Sequence, residues 1–348
     1  MLPLRQGDRR ERAYCTVLRF MCRFSGFREV LVRVLMTAFV VILVVGLAMA
    51  AFTRWHVYRI ETTYPPVGQF ADVAGAKLHY LDVSDQAGHS DSNDEAAVLF
   101  VHGASGNLND QRGAFEEALQ GVARMIFVDR PGLGYSERGG ADTPADQAER
   151  YKLLLDQLNI NKVVLVGHSL GSASVAAFAV LYPERVQGVL FLAPATHPWP
   201  GGVKWYYNLA SWPVLGQLFA ETILVPFGIG GLEQGAKSVF KPDPMPAGYV
   251  ESSAAALVLR PSVFRSNARD VAGLCAFVAE FSSRYQEIKA PTVVITGNKD
   301  DVVLYSIHSL GLERDIDGLE LTVLDGVGHK PDYVGRTQAV AAIKKLLE

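Results

Sequence analysis

A pentapeptide at residues 167–171 constrains the fold of this chain more than any other part of its sequence. It has the pattern Gly-x-Ser-x-Gly, and it lies between four apolar residues, Val163–Val166, and a run of small apolar residues, Val175–Ala179. This order predicts a strand, a sharp turn and a helix. Such a turn forces its central residue, Ser169, into a strained backbone conformation, for which the neighbouring glycines leave room. We therefore expect the Ser169 hydroxyl at a helix N-terminus above a sheet, as a candidate nucleophile.

A dinucleotide-binding turn and a purely structural turn are the alternatives for this pentapeptide. The first needs the pattern Gly-x-Gly-x-x-Gly, whose middle glycine lets the backbone approach a pyrophosphate. The residues from Gly167 to Ser172 lack that glycine. The strand before the turn and the helix after it favour a nucleophile, and the amide of Leu170 would then be able to stabilise an oxyanion.

Strand and helix patterns alternate along most of the remaining chain. A hairpin is predicted around Gly75, a buried strand at Ala97–Val101, and further strands at Met125–Val128, Val186–Leu192, Thr292–Thr296 and Glu320–Leu324. Helices are predicted near residues 146–158, 267–285, 304–316 and 337–347. This alternation with short connections predicts an α/β fold with a doubly wound, mostly parallel sheet. Ligand sites in such sheets lie at the carboxyl ends of the strands, where His102, Asp129 and Ser169 fall.

The regular alternation stops at Pro194. The segment from about 195 to 261 is rich in aromatic residues, proline and glycine, and it contains three of the four tryptophans, Trp199, Trp205 and Trp212. An insertion of this kind after a core strand predicts a cap over the site that lines an apolar pocket. The alternative is that these residues pack on the core for stability alone.

A stretch of 19 uncharged residues, Val34–Phe52, is long enough to cross a bilayer as a helix. It divides the chain into a basic N-terminal arm (1–33), a transmembrane helix (34–52), a semi-rigid linker (53–66) and a soluble domain (67–348). The absence of a polar face argues against a buried core helix. Ala48-Met49-Ala50 resembles a signal-peptide cleavage site, but the apolar run and the preceding arm are long for a signal peptide, which favours an uncleaved anchor.

Charge is distributed unevenly along the chain. The first 60 residues contain ten arginines and three acidic residues, whereas the remainder contains 23 basic and 33 acidic residues. Most of these arginines precede Val34, so the positive-inside rule places the N-terminus in the cytosol and the soluble domain outside it. A basic arm suits anionic lipid headgroups, and an acidic domain argues against a nucleic-acid partner.

Cysteine and histidine spacing gives no sign of a metal site. The three cysteines, Cys15, Cys22 and Cys275, imply no disulfide framework, and no group of residues has the spacing of zinc ligands. We therefore expect neither a metal nor a cofactor.

Five motifs in order make residues 66–348 similar to the α/β-hydrolase family. The motifs are His102-Gly103, Asp129-Arg130-Pro131-Gly132-x-Gly-x-Ser136, Gly167-x-Ser169-x-Gly171, Gly297-x-x-Asp300 and Gly328-His329. The resemblance implies a catalytic triad of Ser169, Asp300 and His329 beneath the cap. It also implies an oxyanion hole formed by the backbone amides of Ala104 and Leu170. Asp300, rather than the adjacent Asp301, is expected to serve His329, because in this family the acid follows the glycine by three residues.

A serine at the turn excludes the haloalkane dehalogenases and epoxide hydrolases of the family, which carry an aspartate there. Carboxylic ester hydrolysis is preferred among the remaining reactions, because it needs only the triad and the oxyanion hole. Cofactor-free perhydrolysis and carbon–carbon bond hydrolysis are the alternatives. A membrane-anchored ligand-binding protein with a vestigial triad is the non-enzymatic alternative. The expected partners are a small apolar ester or lipid ester and, through residues 34–52, a membrane.

Overall fold

The chain divides into two units between Phe52 and Thr53. The computed structural model describes residues 7–84 and 97–348. The first helix, α1 (Gly7–Thr63), contains the predicted span and continues into the second unit. Within these described ranges, two helical segments are long and apolar enough to span a membrane: Arg28–Thr63, with a mean hydropathy of 2.8, and Pro213–Phe240, with a mean hydropathy of 1.4.

The end of α1 differs from the linker that the sequence predicts at 53–66. The helix continues to Thr63 and stops before Tyr64, because the proline that follows Tyr64 disfavours a helical conformation there. Ile60 is buried in an apolar cluster with residues of the cap. Arg54 donates a hydrogen bond of 2.7 Å to the carboxylate of Glu221. Residues 53–63 are therefore a packed helical part of the second unit.

An eight-stranded sheet forms the centre of the second unit. Its strands are β1 (Gln69–Val73), β2 (Ala76–Val83), β3 (Ala97–Val101), β4 (Met125–Val128), β5 (Val163–His168), β6 (Val186–Leu192), β7 (Thr292–Gly297) and β8 (Glu320–Leu324). Their order across the sheet is β1-β2-β4-β3-β5-β6-β7-β8. The strands from β4 to β8 in that order pair in parallel, whereas β1 and β2 add an antiparallel edge. The predicted mostly parallel sheet is confirmed.

The antiparallel edge depends on a tight turn between β1 and β2. Ala74 and Gly75 occupy this turn with φ angles of 49° and 75°. Two consecutive residues with positive φ are what a two-residue hairpin of matching twist requires. The structure therefore contains the hairpin that the sequence predicts around Gly75.

Helices cover both faces of the sheet and build the cap. Around the sheet they are α2 (Leu108–Leu119), α3 (Pro144–Gln157), α4 (Gly171–Leu181), α11 (Tyr305–Asp315), α12 (Pro331–Val334) and α13 (Arg336–Leu347). Between β6 and β7 they are α5 (Trp205–Ser211), α6 (Pro213–Phe219), α7 (Val225–Gly228), α8 (Leu232–Phe240), α9 (Tyr249–Ser252) and α10 (Pro261–Phe281).

Alternate residues of the central strands enter two separate cores. Leu99 of β3 packs in the core that contains residues of α3 and α4, whereas Phe100 packs in the core that contains residues of α2 and α13. Both side chains are fully buried. This two-sided burial explains the continuous apolar sequence of β3 and is typical of parallel strands between two layers of helices.

Candidate active site

The turn between β5 and α4 holds Ser169 in an unusual backbone conformation. Its φ of 51° lies in the left-handed region, which costs energy for a residue with a side chain. A Cβ atom on Gly171 would lie 2.5 Å from the carbonyl oxygen of His102, and one on Gly167 would lie 2.9 Å from the Cα of Ser172. Glycine is therefore needed on both sides of Ser169 so that the turn can pack closely against its neighbours.

His329 connects Ser169 to Asp300 through its two ring nitrogens. Nε2 of His329 lies 2.9 Å from Oγ of Ser169, and Nδ1 lies 2.6 Å from Oδ2 of Asp300. The three side chains follow the carboxyl ends of β5, β7 and β8, and all are buried. The structure thus brings together the three residues that the resemblance selects.

Asp300 is fixed by its own backbone surroundings. Its Oδ1 atom accepts hydrogen bonds of 2.8 Å from the amides of Val302 and Val303, which leaves Oδ2 facing His329. The side chain of Asp301 is exposed to solvent. Asp300 is therefore the carboxylate that orients the imidazole in this structure.

The predicted oxyanion hole consists of the amide of Ala104, in the loop after β3, and the amide of Leu170, the residue after Ser169. A Cβ atom on Gly103 would lie 3.0 Å from the Cβ of Ser169, which shows how closely the loop after β3 approaches the serine. Backbone amide donors beside a serine hydroxyl are suited to stabilise negative charge that develops on a substrate oxygen.

Asn267 of α10 holds the loop that carries Ala104. Its Oδ1 accepts a hydrogen bond of 2.7 Å from the amide of Ser105, and its Nδ2 donates to Oγ of Ser105 at 3.0 Å. Ser105 has a φ of 60°, and Asn267 is fully buried. The side chain of Asn267 thus supports a strained residue next to a candidate oxyanion donor. Sequence patterns did not identify Asn267, because its partner lies 162 residues away in the chain.

Two further histidines lie beside the triad and are held neutral. Burial lowers the pKa of His102 to about 4, and the nearby Arg130 guanidinium acts in the same direction. Its Nδ1 donates to the carbonyl of Gly103, and its Nε2 accepts from the amide of Arg130. Burial also lowers the pKa of His168 to about 4, and its Nε2 donates to the carbonyl of His329. Both histidines therefore support the loops of the site.

A buried ion pair connects α10 to the loop after β4. The guanidinium of Arg130 donates to Oδ2 of Asp270 at 2.5 Å, and both side chains are almost completely removed from solvent. Arg138 donates to the other oxygen of Asp270 at 2.9 Å. The charge of Arg130 is thus neutralised within the protein. Arg130 belongs to a sequence motif, whereas no sequence pattern pointed to Asp270.

A second buried cation, Lys330, directly follows His329. Its Nζ lies 2.9 Å from Asp110 and 2.8 Å from Asp332. Burial works against its charge, but the two carboxylates outweigh that effect and raise the pKa of Lys330. Donor atoms of Asp110, His168 and Asp332 lie within 4.8 Å of one another, a spacing that could suit a metal ion. The ammonium group of Lys330 already supplies, beside Asp110 and Asp332, the positive charge that a metal ion would bring.

Comparisons with known proteins agree with this architecture. A family model described as the alpha/beta hydrolase fold matches residues 96–229. The chain is 34% identical over 172 residues to the dihydrolipoyllysine-residue acetyltransferase component of an acetoin cleaving system from Pseudomonas putida, covering 46% of this chain and 43% of that protein. It is 27% identical to a 2-hydroxy-6-oxononadienedioate/2-hydroxy-6-oxononatrienedioate hydrolase from Paraburkholderia xenovorans, covering 73% of this chain and 84% of that protein.

Solved structures give the same result for the fold. A thermophilic esterase from Thermogutta terrifontis superposes with a TM-score of 0.61 at 20% identity, over 80% of this chain and 98% of the esterase. The fold, the family model and these relatives place the protein among the enzymes of the α/β-hydrolase fold.

Proposed function

We propose that this enzyme is a membrane-anchored serine hydrolase that cleaves an apolar carboxylic ester or lipid ester through an acyl-enzyme. The observation that carries this proposal is the pair of hydrogen bonds that runs from Asp300 through His329 to Oγ of Ser169. A serine hydroxyl is a poor nucleophile at neutral pH, and an oriented imidazole is the group that activates it.

Each residue has a defined role in the proposed reaction. Oγ of Ser169 attacks the ester carbonyl while Nε2 of His329 takes its proton, and Asp300 stabilises the imidazolium that forms. The amides of Ala104 and Leu170 bind the oxyanion. Collapse of the tetrahedral intermediate expels the alcohol, which receives the proton from His329. Water then attacks the acyl-enzyme by the same route and releases the acid.

The surroundings of the serine favour an apolar substrate. Leu170 belongs to a buried apolar cluster with Ala195, Leu274 and Val303, against which Ala104 and Trp199 pack. Apolar walls with a few fixed polar groups are typical of sites for small apolar ligands. These residues would contact the acyl or alcohol part of the ester.

Carbon–carbon bond hydrolysis is the second candidate, and it is supported by the relative from Paraburkholderia xenovorans. A nonadienedioate carries two carboxylates, which need cations in a buried site. Arg130 and Lys330, the two fully buried cations of the described chain, are each paired with carboxylates of the protein. That pairing favours an uncharged ester over a dianionic substrate.

The proposed location follows from α1 and from the charge of the chain. Residues 34–52 would form a single membrane span, with the basic arm in the cytosol and the catalytic domain on the extracytoplasmic side. The exposed apolar surface of the Arg28–Thr63 segment supports this proposal.

Labelling with a fluorophosphonate tests the nucleophile. We expect the full-length wild type to be labelled and to hydrolyse p-nitrophenyl esters, and Ser169→Ala to do neither. Ser174→Ala is the matched control, because Ser174 lies in the same segment but donates its hydroxyl to the carbonyl of Gly171. The proposal is wrong if Ser169→Ala is labelled like the wild type, and absence of labelling in both would favour a binding protein.

A further inference from the structure

One helical run in the cap is apolar on two opposite sides, and only one side is covered. Helix α6, a π-helical turn (Ala220–Leu224) and α7 follow one another without a break from Pro213 to Gly228. Ala220, Leu224 and Val225 lie on the covered side, buried in the apolar cluster of the cap. A helix that is apolar on both sides is unusual in a structure surrounded by water.

The uncovered side forms a continuous stripe. The solvent-exposed fractions of its residues are 77% for Val214, 59% for Leu218, 38% for Ile223 and 72% for Phe227. Consecutive members are separated by four, five and four positions. Five positions would rotate Ile223 out of line in a regular α-helix, but the π-helical turn between Leu218 and Val225 accommodates the extra residue. The helical irregularity therefore keeps the exposed stripe in register.

Two tryptophans widen this stripe into a larger surface. Trp205 and Trp212 are 69% and 54% exposed. We call the whole surface the cap apolar face; it comprises Trp205, Trp212, Val214, Leu218, Ile223 and Phe227. Exposed apolar surfaces of this kind mark interaction sites, and tryptophan in particular is enriched at the boundary between a membrane and water.

A contact within the second unit connects this face to the first residues of that unit. Arg54 follows the last residue of the apolar stretch 34–52 by two positions and donates to Glu221, which lies in the π-helical turn. Two residues of chain span at most about 7 Å, so Arg54 cannot lie far from the end of the apolar stretch. If residues 34–52 cross a bilayer, chain connectivity therefore keeps Arg54, and with it Glu221, close to the surface of that bilayer.

The edge of the face is basic. Arg265 donates to the carbonyl of Pro213 at 3.0 Å and to the side chain of Gln217, so its guanidinium lies beside α6. Arg54 also lies beside this helical run, but Glu221 pairs with its charge, so Arg265 is the cation that can meet lipid headgroups. Basic residues around an apolar surface match the headgroups of anionic lipids.

We propose that the cap apolar face docks on the surface of the bilayer that α1 crosses, so that the enzyme takes an ester dissolved in the membrane. The covered side of the same helical run packs with Phe264, whose ring stacks on that of Tyr207 at 6.0 Å. Phe264 lies in α10, three residues before Asn267, which holds the loop beside the catalytic serine. This inference rests on the proposed ester hydrolysis for its substrate and on the proposed anchor for its partner.

Tryptophan quenching in vesicles tests the docking directly. The full-length chain with Trp55→Phe and Trp199→Phe retains Trp205 and Trp212 as reporters. In phosphatidylcholine and phosphatidylglycerol vesicles, we expect brominated acyl chains to quench this fluorescence strongly. The control carries Trp55→Phe, Trp205→Phe and Trp212→Phe, and its remaining Trp199 should be unaffected. An unquenched reporter would overturn the proposal, and cross-linked dimers in the same vesicles would assign the face to a second copy of the chain.

Activity on two esters tests the consequence for the substrate. We expect Val214→Glu with Leu218→Glu to lower hydrolysis of a long-chain ester in vesicles by about tenfold, equivalent to about 1.4 kcal/mol of lost docking. Hydrolysis of water-soluble p-nitrophenyl butyrate should not change. Val122→Glu with Leu310→Glu, at exposed apolar positions outside the face, is the matched control. An equal loss on both esters, or no loss on either, contradicts the role of the face.

These two readouts separate the inference from the proposed function. If the wild type hydrolyses neither ester but the reporters are quenched, docking stands and ester hydrolysis fails. If the wild type hydrolyses both esters but the reporters are not quenched, ester hydrolysis stands and docking fails.

Discussion

At the scale of single residues, Asp300 and Asp301 are adjacent carboxylates with opposite surroundings. Asp300 is buried and bound to His329, whereas Asp301 is exposed. Only the first can orient the imidazole and stabilise its positive charge. The pair therefore offers an internal comparison in which charge and residue type are equal and only position differs.

We expect Asp300→Asn to lower turnover by about 10⁴-fold, as loss of the orienting carboxylate does in serine proteases. Asp301→Asn should stay within about tenfold of the wild type, because its side chain is exposed to solvent. Ester hydrolysis by the two purified full-length variants measures both effects, and melting temperatures check that each is folded. The reverse order of effects would assign the orienting role to Asp301.

Sequence motifs could select Ser169, Asp300 and His329 because each follows a strand in a recognisable local pattern. Asn267 and Asp270 could not be found in that way. Their partners, Ser105 and Arg130, lie 162 and 140 residues away, and the contacts arise only when α10 crosses the carboxyl ends of the strands. The spacing of residues along the sequence does not reveal contacts between segments that are far apart in the chain.

At the scale of elements, the buried strands were the easiest to predict and the cap was the hardest. Strands such as β3 are continuous apolar runs between turn residues, a pattern that only burial on both faces produces. Before α10, the cap consists of short helices and one π-helical turn, whose lengths are too small for a helical period to emerge. The sequence predicts a linker where α1 continues as a helix, because the packing partners of this helical end lie in the distant cap.

Two glycines in helices should respond oppositely to alanine. Gly171→Ala would bring a Cβ within 2.5 Å of a backbone oxygen, and we expect it to lower the free energy of unfolding by about 1–3 kcal/mol. Gly235→Ala, inside α8, meets no atom within 4 Å and should raise that free energy by about 0.5–1 kcal/mol. Denaturant unfolding of both variants measures the difference. A neutral Gly171→Ala would mean that the turn is looser than described.

At the scale of the whole molecule, buried neutral histidines make the fold sensitive to acid. Burial lowers the pKa values of His102, His168 and His308 from 6.5 to about 4. Between pH 6.5 and 4 the unfolded chain therefore binds more protons than the folded one. Stability is fully present above pH 6.5 and falls as the pH approaches 4, by up to about 1.4 kcal/mol per pH unit for each histidine.

We expect the free energy of unfolding of the full-length protein, measured with denaturant in detergent, to fall steeply between pH 6.5 and 4.5. His308→Asn should reduce the slope of the free energy of unfolding against pH by the equivalent of about one bound proton. Its amide oxygen can accept the hydrogen bonds that Nδ1 of His308 receives from the amides of Thr196 and His197. A stability that does not change over this range, or an unchanged slope in the variant, would contradict the prediction.

Helix α10 is held to the core at two points, which determines how a substrate can reach the serine. Asn267 and Asp270 lie about one turn apart and bind Ser105 and Arg130. Lifting α10 would leave the guanidinium of Arg130 without its partner in a buried place, at a cost of about 3–5 kcal/mol. Opening of the site, where Ser169 is 7% exposed, is therefore expected to move residues 205–259 over a stationary α10. The frequency of that movement would set the upper limit on how fast substrate and product exchange.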